Sequence, residues 1–280
     1  MRRLVVLFLA VTLVLAILPG CGPARGQLVL HFLDVGQGDA ILVRTPAGLH
    51  LLIDTGPDAP SILDHLRRHG VRRLDVLVLT HPHQDHIGGA RAVLADIPVA
   101  TVYDSGKAHT SRTYESLLEA VELEVEAGRT RFILARAGMR IDLDPAVTIE
   151  VLHPGDDVAG ISVNNCSVVL KLTHGQVVFL LPGDAETEVE EALVASGLDL
   201  TATVLKVGHH GSRSSTGAGF LAQVGPRVAV IMCGVNPYGH PHPEVLDRLR
   251  AAGADVYSTR DRGTISVFSD GRGYRVRTDR

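Results

Sequence analysis

The sequence predicts an α+β fold in one domain, two mixed β-sheets packed face to face with helices outside. Three observations predict it. Short apolar runs broken by Gly and Pro recur through both halves of the chain, with helical stretches between many of them. Residues are 45% hydrophobic but only 4% aromatic, with no Trp, so Val, Leu, Ile and Ala must build the core. No linker of any length divides the 280 residues into halves.

The chain opens on a targeting segment. Arg2 and Arg3 precede an apolar run, Leu4 to Leu18, whose 15 residues are short for a membrane span. Leu18-Pro19-Gly20-Cys21 resembles a bacterial lipobox, in which Cys21 would be lipidated and become the first mature residue. The expectation is a signal peptide over 1–20, a linker over 21–27 and a folded domain over 28–280, anchored to the membrane through Cys21. An ordinary secretory signal and an uncleaved anchor are the rivals, and all three put the domain outside the cytoplasm.

Strands are expected at Leu28–Val35, Ala40–Thr45 and Leu49–Asp54. A helix over Ser61–His69 opens on a Ser cap and closes at Gly70. Then follow a strand at Leu74–Leu79, a helix at Gly89–Ala95, a strand at Val99–Tyr103 and a helix at Arg112–Glu126. The second half reads as strands at Ile141, Val147–Leu152, Ser167–Thr173 and Val177–Leu181, a helix at Ala185–Ala195 and a strand at Thr203–Val207. A helix at Gly217–Gln223, a strand at Val228–Met232, a helix at Glu244–Ala251 and strands at Val256–Ser258 and Thr264–Phe268 complete it.

The net charge is −4, and loss of residues 1–20 removes Arg2 and Arg3 and no acid, giving −6. That is no global footprint for nucleic acid. Arg272, Arg275, Arg277 and Arg280 can form a local basic path, but a solvated tail is the expectation for them. With Cys21 lipidated, Cys166 and Cys233 remain, as a disulfide or as two buried thiols.

Thr80-His81-Pro82-His83-Gln84-Asp85-His86 sets three imidazoles and a carboxylate on a turn leaving an apolar strand. Imidazole nitrogen and carboxylate oxygen are the donors that zinc and similar ions take. One ion cannot easily use all four side chains, whereas two ions a few ångströms apart can. Other strand ends carry polar signals of the same kind: Asp54 before Gly56, Asp184 after Gly183, His209-His210 before Gly211, and His240-Pro241-His242. Strand ends on one sheet edge converge, and such edges hold active sites.

His81-x-His83-x-Asp85-His86, with Asp54 upstream and Asp184 and His209-His210 downstream, resembles the metallo-β-lactamase superfamily. Phe32–Ala40, Asn164-Asn165-Cys166-Ser167, Gly208–Ser212 and Tyr238–Pro243 narrow the resemblance to the hydrolase domain of ComEC-type DNA-internalisation competence proteins, over about residues 28–270. It implies an αββα sandwich and a hydrolase holding two divalent ions, Zn²⁺ or Mn²⁺. Carried over, His81 and His83 hold the first ion, Asp85 and His86 the second, and Asp184 bridges both. His209 or His210 completes the second site, with His209 preferred as nearer the strand end, and Asp54 orients the His loop from behind. Many superfamily members place a third first-ion histidine where this chain has Asn164-Asn165, so Asn165 is expected beside the ions, with water or an Asn carbonyl at the open position.

Asp85, Asp184 and His240 are the candidate catalytic residues, with His240 contacting substrate phosphate or acting as an acid. His31, His50, His65, His69 and His109 are expected to be structural or exposed. Asp34 and Asp39 are expected to cap Gly turns, and Ser212 and Ser214 the following helix. The resemblance implies phosphodiester hydrolysis, with DNA as the foremost substrate. A phosphocholine-type or other small-ester hydrolase and a non-catalytic binding module are the alternatives. The membrane channel that competence proteins carry is not in this sequence, and DNA import by this chain alone is not expected.

Overall fold

The computed structural model describes residues 26–280. The expected signal peptide, Cys21 and most of the linker lie outside the described residues. Within them no helix is long and apolar enough to cross a membrane.

The first sheet takes β1 (Leu28–Phe32), β2 (Ile41–Arg44), β3 (His50–Ile53), β4 (Val76–Leu79), β5 (Thr101–Asp104) and β6 (Arg131–Leu134), then receives β13 (Ile265–Ser269) and β14 (Tyr274–Thr278) from the end of the chain. Its order is β14-β13-β1-β2-β3-β4-β5-β6, antiparallel up to β3 and parallel beyond it. The second sheet holds β7 (Thr148–His153), β8 (Val169–His174), β9 (Val177–Leu181), β10 (Val204–Lys206), β11 (Val228–Ile231) and β12 (Asp255–Ser258) in the order β12-β11-β10-β9-β8-β7. Here β9 to β12 run parallel and β7-β8-β9 antiparallel.

Period-2 alternation decides which side chains meet. Leu51, Ile53, Val76 and Val78 face Val177, Phe179, Val228 and Val230 in the core between the sheets. Their strand neighbours Leu52, Leu77 and Leu79 face outward onto α1 (Ala59–Arg68), α3 (Ala90–Asp96) and α4 (Arg112–Glu126). On the other sheet Leu180, Ala229 and Ile231 pack under α5 (Thr187–Ala195), α6 (Ala218–Val224) and α7 (Pro243–Ala251). Two more helices are single turns, α2 (Gln84–Ile87) inside the His cluster and α8 (Thr259–Arg262). The architecture is the expected αββα sandwich.

Two strands lie beyond those the sequence predicts. β6 is a four-residue edge strand with no buried residue, and β14 alternates Tyr274, Val276 and Thr278 with exposed Arg275 and Arg277. The C-terminal arginines are thus not a loose tail. β14 pairs with β13, Arg275 lies 3.9 Å from the centre of the Phe268 ring, and Arg280 pairs with Asp34 at 2.5 Å.

Candidate metal centre

β3, β4, β9 and β10 all end toward one rim of the sandwich, each passing from apolar residues into a polar turn. Asp54 follows β3 with φ 57°, a left-handed conformation that Asp tolerates better than most residues and that turns its carboxylate back toward β4. Thr80 donates to Asp54 from its backbone N–H (2.8 Å) and its hydroxyl (2.6 Å), and His86 Nδ1 lies 2.7 Å from Asp54 Oδ2. Asp54 therefore fixes the His86 ring and leaves its Nε2 facing inward, the arrangement of a carboxylate behind a metal-ligating histidine.

His210 reaches the same point from the opposite sheet. Its Nδ1 donates to Met232 O (2.9 Å), so Nε2 is the free nitrogen. That Nε2 lies 3.3 Å from His86 Nε2, 3.2 Å from Asp184 Oδ2 and 3.2 Å from Asp85 Oδ2, and His86 Nε2 is 3.2 Å from Asp184 Oδ2. A tetrahedron of donors about 2.0–2.1 Å from a zinc-like ion has edges of about 3.3–3.4 Å. His86, Asp184 and His210, buried and mutually 3.2–3.3 Å apart, have the chemistry and spacing of ligands to one divalent ion, and Asp85 stands within reach of it, 3.2 Å from His210.

The other half is looser. His81 Nε2 and His83 Nδ1 are 3.0 Å apart, but His81 Nε2 stands 4.0 Å from Asp184 Oδ2. Ser167 Oγ links the two, 3.3 Å from His81 Nδ1 and accepting from Asp184 N–H at 3.0 Å. Asn165 spends both ends of its amide elsewhere: Oδ1 accepts from Glu186 N–H (2.8 Å) and Nδ2 donates to Glu188 (3.1 Å). It steadies the turn after Asp184 and does not offer the expected carbonyl to an ion.

The preference for His209 over His210 is corrected. His209 and His210 hold φ of 45° and 54°, so the chain coils left-handed here and proximity to the strand end does not decide which ring points inward. His210 is buried among the donors. His209 sits at the pocket wall, its Nε2 3.8 Å from Asp184 Oδ2 and its Nδ1 3.2 Å from Glu186. His240 shares the same cleft of about 360 Å³, with Nδ1 buried and unpartnered. Burial, helped by His209 and His210, lowers its pKa to about 4.

Two central residues escaped the sequence reading. Lys206 is fully buried, donates to Gly183 O (2.7 Å) and Asp184 Oδ1 (3.3 Å), and pairs with Asp39. A lone Lys inside the apolar run Val204–Val207 was the available signal, because a Lys is rarely buried without a charged partner. Asp39 is no simple turn cap. Its Oδ1 lies 3.4 Å from His210 Nδ1 without a hydrogen bond, and its Oδ2 is 4.0 Å from His86 Nδ1. Asp39 is close enough to His86, Asp184 and His210 to share an ion with them. Its oxygens, however, face the Nδ1 edges, and Asp85 completes the Nε2 side. Ser214 likewise does not cap a helix but donates to Glu186 at 2.7 Å.

The electrostatics follow from this packing. Burial opposes charge on His86 and His210, but Asp184, with Asp54 beside one ring and Asp39 beside the other, holds both well above the usual histidine range. Burial likewise opposes ionisation of Asp184, and His210, His86 and Lys206 overrule it. Burial holds His81 and His83 below the usual range. Cys166 bonds Val163 O (2.9 Å) and burial pushes its thiol up to about 11, so it offers no ready thiolate; Cys166 and Cys233 are both free.

A two-sheet sandwich carrying histidines and carboxylates from both halves around one shared aspartate defines a metal-dependent hydrolase. The sequence profile of the metallo-beta-lactamase superfamily matches residues 33–235, and the chain belongs to that superfamily. It is 37% identical to competence protein ComA of Neisseria gonorrhoeae over 86% of this chain and 32% of that one. It is 32% identical to ComE operon protein 3 of Bacillus subtilis (strain 168) over 88% of this chain and 33% of that one. The chain thus spans about a third of the length of these relatives. The metallo-beta-lactamase fold protein YhfI from Bacillus subtilis superposes with a TM-score of 0.54 at 13% identity, over 86% of this chain and 100% of that one, a likeness of fold.

Proposed function

We propose that the chain is a two-metal phosphodiesterase acting on DNA, exported and held at the membrane by lipid on Cys21, with Zn²⁺ or Mn²⁺ as its ions. The observation that carries this reading is the convergence on Asp184 Oδ2 of His86 and His210 at 3.2 Å and of His81 at 4.0 Å from the other half. Asp85, His86 and His210 would hold one ion, His81 and His83 the other, and Asp184 would serve both. When bound, such ions acidify a water and take up charge developing on phosphoryl oxygens. Lys206 occupies Asp184 Oδ1 and leaves Oδ2 to face the donors. Asp85, which lines the pocket, would orient the attacking water. With its pKa lowered to about 4, His240 is neutral at pH 7 and meets substrate as a hydrogen-bonding group. The competence-protein relatives favour DNA as the diester.

Metal analysis of the purified protein and hydrolysis of bis-p-nitrophenyl phosphate test the reading. Two equivalents of metal and turnover are expected, both lost in Asp184→Asn while the fold is retained. A folded, metal-free and inactive protein would instead be a binding module. A panel of single-stranded DNA, duplex DNA, RNA and phosphocholine esters then decides between nuclease and small-ester hydrolase.

A further inference from the structure

A second cleft of about 660 Å³ adjoins the metal pocket, and His240 lines both. The wall between them is the loop around residues 234–241, which the Asn236 side chain staples. Asn236 Nδ2 donates to Gly234 O (2.9 Å) and His240 O (2.8 Å), and Oδ1 accepts from the N–H groups of Tyr238 (3.1 Å) and His240 (3.0 Å). At the loop's base, Gly234 approaches the backbone of Gly36 and Gln37 so closely that a Cβ would meet Gln37 N at 2.6 Å. This rigid loop holds Tyr238 64% exposed at the rim of the metal pocket, its ring 5.6 Å from that of His240.

On the far side of the loop the cleft is lined by apolar Leu246 and Val256 and by Arg250, Arg260 and Arg262, with Asp255 and Asp261 as the acids. Counting Asp247, which pairs with Arg250, the acids match the arginines in number, but Arg262 makes no salt bridge among the described residues. The ion pairs that engage Arg250 (with Asp247) and Arg260 (with Asp261) are solvent-exposed, and such pairs exchange readily for other anions. An exposed ring, an apolar surface and arginines in series beside a hydrolytic pocket are the chemistry that binds unpaired nucleotides, by stacking on bases and neutralising phosphates.

We infer that the Tyr238 rim and the arginine cleft form a strand-binding path that receives the unpaired nucleotides flanking the cleaved phosphate, so that the site selects single strands over duplex. The inference rests on the phosphodiesterase reading and deepens it. The test is fluorescence anisotropy of the metal-loaded chain with a labelled, phosphorothioate-linked oligothymidylate of about twelve nucleotides, which spans such a path and resists cleavage. Tyr238→Phe should bind as the parent does, and Tyr238→Ala about tenfold more weakly, the loss of one stacked base. The double change R260E/R262E should weaken binding and flatten its salt dependence by about 0.7 for each phosphate that is no longer neutralised.

Equal binding by the parent and Tyr238→Ala, tighter binding of duplex, an unchanged salt slope, or equal binding of polyglutamate would each overturn the inference. The last outcome would mark a general polyanion surface. The two readings fail separately. A chain that binds the strand in this pattern but hydrolyses no phosphodiester loses only the proposed activity, and one that hydrolyses bis-p-nitrophenyl phosphate but binds strands indifferently to these changes loses only the path.

Discussion

On one side of Asp184 the fold has built a pocket; on the other it has left an opening. His86, His210 and Asp184 stand 3.2–3.3 Å from one another around the candidate second-ion position, with Asp85 3.2 Å from His210 and with Asp54 and Met232 O fixing the Nδ1 atoms of the two rings. The first-ion position has His81 and His83 at 3.0 Å from each other, an aspartate oxygen 4.0 Å away, and Asn165 turned to the backbone of Glu186. Preorganised donors need not be gathered when the ion arrives, so the second position should be the tighter one. The difference teaches that two sets of donors sharing one aspartate can be gathered to unequal degrees by the same fold.

The largest effect should come from the residue the halves share. Asp184→Asn removes the common anion and leaves Lys206 and Asp39 paired with each other. We expect loss of both ions by metal analysis and at least about a 10³-fold fall in kcat. An Asp184→Asn protein that kept one full equivalent would show that the halves do not depend on a common bridge.

Next in size is the contrast between halves. His210→Ala should abolish the tight phase of a calorimetric metal titration and leave a weak one. His83→Ala should do the opposite, giving a one-ion protein of near-parental tight affinity. Equal losses in the two variants would break the comparison. A smaller version of the same test is Asp54→Asn, which loosens His86 without touching an ion. Metal affinity at the tight site should fall about 10–100-fold while the weak site is little changed.

Much of this was legible along the chain. Asp54, His81 to His86 and Asp184 each stand where an apolar run meets a turn, and local sequence suffices to say that such residues end up at one sheet edge. Asp39 and Lys206 were not legible in the same way. The first looked like a cap in a Gly turn and the second like one residue of a strand. Their meeting requires the 36–39 turn of one sheet to face β10 of the other, a contact between residues far apart in sequence. The inversion of His209 and His210 had a different cause: two successive left-handed residues redirect both side chains, and residue order does not encode that. Edge strand β14 alternates with exposed arginines because a strand with one side in water need not be apolar, whereas β6, apolar at Phe132, Ile133 and Leu134, is only four residues long and closely follows a long helix.

The mildest expected effect concerns protons, and it separates the halves by sign. His86 and His210 hold protons well above the ordinary histidine range because Asp184, Asp54 and Asp39 surround them. An ion entering there must displace those protons, so its affinity should rise as pH rises across neutrality, by at most about tenfold per unit for each proton released. His81 and His83 are held below the ordinary range by burial and are already neutral at pH 7. The first ion therefore displaces no imidazole proton, and its affinity should stay nearly level over the same interval. Calorimetry in buffers of different ionisation enthalpy counts the protons directly. Release confined to the tight phase is the expected result, and release confined to the weak phase would reverse the assignment of the two halves.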